Sequence, residues 1–156
     1  MKKIICTAGV TLFILLAGCN TKSNTATYIF EGQSMAPTIA DGDKFVEDIG
    51  YYEKEEISRG DIVVYSHDGQ KHAKRVVALP GESIRFEDGA LIINGKPIED
   101  ESIPTDKTVS TEEVNLLEDE YFIVGDGSEN SRDSRHFGPV KKDDISGKVI
   151  EIVPQS

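Results

Sequence analysis

The sequence predicts a mostly β protein, a compact multi-stranded sheet or barrel-like domain with few helices. Short runs rich in β-branched and aromatic residues recur along it, separated by Gly, Asp, Asn or Pro, the usual turn residues. After residue 27 no segment sustains the apolar period of 3.6 residues that an amphipathic helix needs, and no internal repeat is visible. The predicted strands are Tyr28–Phe30, Lys44–Glu47, Asp61–Tyr65, Arg75–Leu79, Ser83–Glu87, Ala90–Ile93, Tyr121–Val124 and Lys148–Val153.

The N-terminus has the features of an export signal. Lys2 and Lys3 precede a largely apolar run over residues 4–18, which is shorter than the ~20 residues of a comfortable membrane span. The run ends in Leu16-Ala17-Gly18-Cys19, which resembles the lipobox of bacterial lipoproteins. That resemblance implies that residues 1–18 are removed and that Cys19 carries lipid. The alternative is an uncleaved N-terminal anchor in which Cys19 is incidental.

The rest of the chain is one acidic domain behind a short linker. Residues 19–27 are polar after the cysteine and are predicted to be a flexible tether, followed by a folded domain over residues 28–156. Cys6 and Cys19 are the two cysteines, so the domain has no disulfide and must rely on a packed core. The formal net charge is −11, which argues against nucleic acid as a partner. No metal or cofactor is predicted.

Local turn signals add detail to the strand prediction. Ser83–Glu87 alternates polar and apolar residues, as a half-buried strand does, and residues 90–98 predict a hairpin around Asn94-Gly95. The stretch Ser110-Thr111-Glu112-Glu113 has the spacing of a helix capping box. The residues after it lack a sustained helical period, so at most one helical turn is expected there. Residues 28–30 are either the first buried strand, which we favour, or a contact with the bilayer.

Ser34, in the stretch EGQSMAPTIADGD, is a candidate nucleophile without a base close to it in sequence. His67 lies in a turn-like segment and is most simply a solvated residue. His136 follows Asp133 by three positions, so a Ser-His-Asp arrangement is conceivable, although nothing else around it favours one. His72 shares a strand face with Lys74 if both lie on one strand.

Lys74 is the stronger candidate for the base. It opens the apolar run RVVAL, which is hydrophobic enough to enter a core. A buried lysine loses the hydration of its charged form, so its pKa falls and the neutral amine becomes able to accept a proton. The alternative is an ordinary lysine at a strand start that points into water.

Four separated stretches together resemble the bacterial type I signal peptidases, which are Ser-Lys proteases. The nucleophile box S-M-x-P-T of that family is matched by residues 34–38, and its R-G-D strand by residues 59–61. The box that carries the base, K-R-V-x-x-x-P-G-[DE], is matched by residues 74–82. The closing box G-D-N-R-x-x-S-x-D-S-R-x-x-G is matched at most positions of residues 125–138. The order and spacing are right, and the resemblance covers residues 28 to about 153.

The resemblance implies roles for the residues at these positions. Ser34 attacks the scissile carbonyl, and Lys74 takes its proton and later activates water. Ser131 hydrogen-bonds the lysine amine. Asp133 and Arg135 form a supporting ion pair, for which a surface pair of little consequence is the alternative.

The same resemblance places two further residues beside the nucleophile. The oxyanion is held by the Ser34 N–H and by a donor at Gly32, where only backbone is available, so backbone or another group must supply the second bond. Met35 packs against the site and keeps Lys74 dry, or is ordinary core filling.

The implied function is a membrane-anchored serine endopeptidase that removes signal peptides from exported preproteins at A-x-A sites. Its location is the extracytoplasmic face of the cell membrane of a Gram-positive-like bacterium, with the lipid anchor as its membrane contact. The alternative classes are a catalytically impaired lipoprotein that uses the fold for binding or inhibition, and a self-cleaving repressor, which the export signal and acidity disfavour.

Three departures from the family bear on this function. Gly127-Ser128 replaces Asn-Arg in the closing box, which is expected to loosen the loop before Ser131. A lipid replaces the usual transmembrane helices. The region 82–120 leaves room only for a small cap with a β-hairpin.

Overall fold

A computed structural model describes residues 24–100, 103 and 110–155. The predicted signal peptide, Cys19 and most of the predicted tether lie outside the described residues. No helix in the described part of the chain is long and apolar enough to cross a membrane.

The larger of two antiparallel sheets has seven strands in the order β1-β2-β11-β3-β4-β9-β10. The strands are β1 Thr25–Ile29, β2 Lys44–Ile49, β3 Ile62–His67, β4 Gln70–Ala78, β9 Glu120–Val124, β10 Val140–Lys141 and β11 Ile145–Val153. The smaller sheet has the order β7-β6-β5-β8. Its strands are β5 Ser83–Glu87, β6 Ala90–Ile93, β7 Lys96–Pro97 and β8 Val114–Asn115.

Helical structure is confined to short segments in the described part of the chain. The single α-helix, α1, covers Ser134–Phe137. Turns of 3₁₀ helix cover Tyr51–Glu53, Ser128–Asn130 and Lys142–Asp144.

The predicted mostly β class is confirmed, and every run predicted as a strand contributes to one. The barrel-like part of the prediction is wrong. The edge strands β1 and β10 do not pair with each other, so the larger sheet stays open and a second sheet packs on it. Alternation within single strands shows which face is buried, but sheet closure depends on pairing between strands far apart in sequence.

Two strand boundaries differ from expectation, and the segment after Ser110 stays within the expected limit of one helical turn. Strand β4 starts at Gln70 rather than Arg75, and so includes Lys74. The last three residues of the predicted tether, 25–27, pair with β2. No helical turn follows Ser110. Instead the Ser110 and Thr111 hydroxyls accept hydrogen bonds from the backbone N–H groups of Asp88 and Phe86, which ties the segment before β8 to β5.

Three apolar clusters hold the described residues together. One joins the two sheets, so the smaller sheet shares a core with β4 and β9; it includes Val77, Ala78, Phe122, Ile84, Phe86 and Leu91. A second lies under α1 and includes Val63, Tyr65, Val76 and Ile123. The third lies beneath the segment between β1 and β2 and includes Phe30, Met35, Ile39 and Phe45. Each large side chain buried in this way contributes about 1.5–3 kcal/mol.

Candidate active site

Ser34 lies in a tight turn between β1 and β2. The Ala36 N–H donates to the Gln33 carbonyl oxygen at 3.1 Å, and the Ile39 N–H donates to the Met35 carbonyl oxygen at 2.9 Å. Met35 and Ile39 have no exposed surface and anchor the turn in the third apolar cluster. Met35 is therefore core packing directly beneath the serine, and Ser34 itself remains half-buried.

Lys74 reaches this turn from β4. Its Nζ donates to Ser34 Oγ at 2.8 Å and to the Ala73 carbonyl oxygen at 3.0 Å. The residue is only 3% exposed. Burial lowers the pKa of Lys74 to about 8, against the opposing effect of the carboxylates of Asp133 and Asp126. The two side chains that the sequence analysis singled out as nucleophile and base are thus in hydrogen-bond contact.

This geometry suits general-base catalysis. An amine with a pKa near 8 is partly neutral in mildly alkaline water, and its lone pair can accept the serine proton across the existing contact. Low exposure also keeps competing water away from the amine.

Ser131 is buried beside Gly125 but is not a partner of the amine. Ser131 Oγ makes no hydrogen bond of normal geometry to a described residue. It lies near Asp133, where it helps to lower the pKa of that carboxyl. Gly125 permits this packing, because a Cβ on it would overlap both Ser131 Oγ and the Ser34 carbonyl oxygen.

Asp133 and Arg135 form a buried ion pair. The Arg135 Nη2–Asp133 Oδ2 distance is 2.7 Å, and the side chains are 6% and 0% exposed, so the alternative of a surface pair is wrong. The Gly125 N–H also donates to Asp133 Oδ2 at 2.8 Å. Burial would raise the pKa of Asp133, but the hydrogen bonds from Arg135 and Gly125 outweigh it and lower that pKa.

Sequence reasoning missed a second buried ion pair. Arg75, next to Lys74, contacts both carboxylate oxygens of Asp126. Thr38 Oγ1 donates to the same carboxylate from the nucleophile segment. All three residues stand within the quoted motifs, but the motifs do not show that these residues contact one another. Their contact is long-range and nothing in the local sequence shows it.

One of the two predicted oxyanion donors is free. The Ser34 N–H donates to no acceptor in the described part of the chain. The Gly32 N–H instead donates to Asp41 Oδ1 at 2.6 Å. Gly32 has a φ of +93°, which glycine adopts without strain.

The histidines lie around the site rather than between Ser34 and Lys74. His136 belongs to the N-terminal cap of α1, where its Nδ1 accepts from the Asp133 N–H at 3.5 Å. The His67 and His72 rings contact the Tyr65 ring. Burial and the nearby charge of Lys74 lower the pKa of His72.

A cleft of about 260 Å³ opens beside Ser34. It runs between residues 28–31 and 70–74 and has Ser34 and Lys74 in its lining. The Val76 N–H donates to the Asp61 carbonyl oxygen, and the Val76 carbonyl oxygen accepts from the Gly60 N–H. Backbone groups alternate in direction along a strand, so the N–H and C=O groups of Ala73 and Lys71 point toward the opposite edge of β4. Strand β9 pairs with residues 75–78, and no other strand in the described part of the chain pairs with residues 70–74 at that edge.

Within the described residues, no cluster of three or more His, Cys, Asp or Glu side chains could hold a metal ion. The side chains with polar groups that line the cleft are a serine, a tyrosine, two lysines, a histidine, a glutamine and a glutamate. This set suits proton transfer and peptide binding.

Comparisons with known proteins identify the family of this chain. The family model described as signal peptidase, peptidase S26, matches residues 2–153. Signal peptidase I V of Bacillus subtilis is 34% identical over 139 residues, covering 80% of this chain and 83% of that protein. Signal peptidase IB of Staphylococcus aureus is 29% identical over 164 residues, covering 93% of this chain and 83% of that protein.

A solved structure shows the same fold. The crystal structure of a signal peptidase I from Enterococcus faecalis matches with a TM-score of 0.53 and 29% identity, and covers 61% of this chain and 97% of that one. Together with the sequence matches, this likeness shows that the chain belongs to the signal peptidase family, peptidase S26.

Proposed function

We propose that this protein is a membrane-anchored serine endopeptidase that removes signal peptides from exported preproteins, with Ser34 as nucleophile and Lys74 as general base. Membership of the signal peptidase family supports the reaction class. The observation that carries the residue assignment is the 2.8 Å contact between Lys74 Nζ and Ser34 Oγ, with the amine almost wholly buried.

In the proposed reaction, neutral Lys74 accepts the hydroxyl proton as Ser34 Oγ bonds to the scissile carbonyl carbon. The amide C–N bond then breaks, the leaving amine takes that proton, and an acyl ester remains on Ser34. Lys74 next deprotonates a water molecule that attacks the ester. The released acid carries the signal peptide, and the serine hydroxyl is restored.

The Ser34 N–H is the proposed first donor to the oxyanion because it is free. Gly32 is the proposed second donor, but its N–H is engaged by Asp41 and must be released before it can serve. Ser131 remains a proposed partner of the Lys74 amine during turnover, and Asp133 with Arg135 a proposed support for it.

The cleft fits an extended substrate. Its β4 edge presents the Ala73 N–H and the N–H and C=O groups of Lys71, which can pair with a peptide strand, while the Ala73 carbonyl oxygen already accepts from Lys74 Nζ. Tyr28, Phe30 and Phe45 supply apolar walls to the cleft. The small side chains of an A-x-A site are proposed to pack against these walls.

We also propose that Cys19 carries the lipid anchor, which would hold the cleft at the extracytoplasmic membrane surface. Cys19→Ser should abolish fatty-acid labelling of the protein in cells while leaving peptide cleavage in detergent intact. Equal labelling of Cys19→Ser would exclude this anchor.

The decisive assay incubates the full chain in detergent with a preprotein that carries an A-x-A site. Ser34→Ala and Lys74→Ala should each abolish cleavage. Their matched controls, Ser66→Ala and Lys141→Ala, change exposed residues of the same types and should retain it. A folded wild-type chain that does not cleave would favour the binding module instead.

A further inference from the structure

Gly127 touches the backbone on both sides of Ser34. Its N–H donates to the Ser34 carbonyl oxygen at 3.1 Å. Its Cα faces the Gln33 carbonyl oxygen, which a Cβ at this position would overlap, and that Cβ would lie 3.4 Å from the Ala36 carbonyl oxygen. Only a residue without a side chain allows this approach.

These contacts bear on two peptide units. The Gln33 carbonyl and the Ser34 N–H belong to one planar peptide, and the Ser34 carbonyl belongs to the next. Contacts at both carbonyls restrict the rotation of the two planes. They thereby set the direction of the free Ser34 N–H and of the bond from Ser34 Cα to Cβ.

The same close packing continues at Gly125. A Cβ there would also overlap the Ser34 carbonyl oxygen. The loop that carries both glycines is itself tied down, because Asp126 pairs with Arg75 and the Asn130 N–H donates to the Gly127 carbonyl oxygen at 3.0 Å. The loop is therefore a firm support for the nucleophile turn. This is opposite to the loosening expected from Gly127-Ser128.

We propose that Gly127 is a positioning residue that holds Ser34 in line with Lys74 and with the cleft. The role rests on the proposed function. Gly127 does not line the cleft, whose lining residues are 28–31, 34, 45 and 70–74, so we expect it not to touch substrate. Its loss should therefore lower kcat and leave KM unchanged.

The test measures kcat and KM of the full chain in detergent on an A-x-A peptide, for wild type, Gly127→Ala and Glu129→Ala. Glu129 is exposed in the same loop and is the control. A displacement of about 1 Å at the nucleophile costs up to about a hundredfold in rate. We expect Gly127→Ala to lose about ten- to a hundredfold in kcat, with KM within about twofold, and Glu129→Ala to match wild type.

The pH profile separates positioning from a general loss of structure. If only Ser34 moves, Lys74 stays buried and the midpoint pH at which activity rises does not change. A midpoint shifted to higher pH would show that water has reached the amine, and would overturn the proposal. Unchanged kcat, or a change in KM alone, would also overturn it.

Two further outcomes are distinguishable. A wild-type chain that does not cleave overturns the proposed function, whereas an active wild type with an equally active Gly127→Ala overturns only this inference. If Gly127→Ala does not fold, the unmodified protein is tested by nuclear magnetic resonance. The measurement is the scalar coupling between the Gly127 nitrogen and the Ser34 carbonyl carbon across their hydrogen bond. Its presence supports the proposal and its absence overturns it.

Discussion

Arg75 and Asp126 form a buried, bidentate ion pair between the strand that carries Lys74 and the loop that contacts Ser34. The Arg75 Nε–Asp126 Oδ1 distance is 2.9 Å and the Nη2–Oδ2 distance is 2.6 Å. The side chains are 11% and 0% exposed. Thr38 donates to the same carboxylate, and Arg75 Nη1 donates to the Gly60 carbonyl oxygen at 2.8 Å. One ion pair therefore joins four separate parts of the sequence around the site.

We expect Asp126→Asn to destabilise the fold by about 3 kcal/mol, because it leaves the buried Arg75 guanidinium without its counter-charge. The measurement is the free energy of unfolding from denaturant titration. Asp119→Asn is the matched control, since Asp119 lies 4.0 Å from Lys141 and both are well exposed. That change should cost less than about 1 kcal/mol. Equal losses of stability in the two variants would show that the buried Arg75–Asp126 pair stabilises the fold no more than an exposed ion pair does.

Activity should rise with pH as Lys74 loses its proton. Burial lowers the Lys74 pKa to about 8, so kcat/KM should increase through a single step with its midpoint near pH 8. A profile of kcat/KM from pH 6 to 10 measures this midpoint, with exposed Lys141→Ala as a control that should not shift it. A flat profile between pH 7 and 9 would show that another group is the base.

Lys74→Met should stabilise the fold at pH 7 while abolishing activity. Below pH 8 the amine is protonated in both states and the folded state bears the cost of burying a charge. A lowering from 10.5 to about 8 makes this cost on the order of 3 kcal/mol, and the lost hydrogen bonds offset part of it.

The net gain expected for Lys74→Met is on the order of 2 kcal/mol at pH 7. Between pH 8 and 10.5 the unfolded state binds more protons, so wild-type stability should rise with pH and the variant's should not. Denaturant titrations at pH 7, 8.5 and 10 measure both effects. A variant less stable than wild type at pH 7 would show that burying the protonated Lys74 amine does not destabilise the folded state.

Arg135→Met should shift the pH profile upward. The charge of Arg135 lowers the Lys74 pKa directly. Arg135 also neutralises Asp133, whose carboxylate raises the Lys74 pKa. Without the guanidinium the Lys74 pKa should rise, so the midpoint of kcat/KM should move to higher pH.

The same variant should lose about 3 kcal/mol of stability, because Asp133 remains as a buried carboxylate without its ion-pair partner. Arg85→Met is the control, since Arg85 pairs with the exposed carboxylates of Glu87 and Glu113 on the smaller sheet. It should change neither the midpoint nor the stability by much. A downward shift in Arg135→Met would contradict the assigned electrostatics.

Local sequence patterns predicted the strands well because strand formation follows features within a few residues. Alternation in Ser83–Glu87 and the Asn94-Gly95 turn both correspond to the observed β5 and the β6–β7 hairpin. Patterns failed where a long-range partner decided the outcome. Ser110 and Thr111 have capping-box spacing, yet their hydroxyls accept hydrogen bonds from backbone N–H groups in and next to β5, and no helical turn forms after them.

The candidate site was predictable in its residue types and only partly in its contacts. Ser34 and Lys74 stood out because one is a potential nucleophile without a local base and the other opens an apolar run. The Arg75–Asp126 pair and the tight approach of Gly127 had no local signal. They depend on residues that lie far apart along the chain.

The sequence by itself determined the mostly β class and the turn positions, and it singled out Ser34 and Lys74 as candidates for nucleophile and base, since these follow from short-range propensity and chemical type. Only the tertiary structure decided that the sheet stays open and that Lys74 is buried within 2.8 Å of Ser34. It also decided that a loop with two glycines packs against the backbone around Ser34. Burial and distance arise when segments distant in sequence pack together, and that packing sets the electrostatics from which reactivity follows.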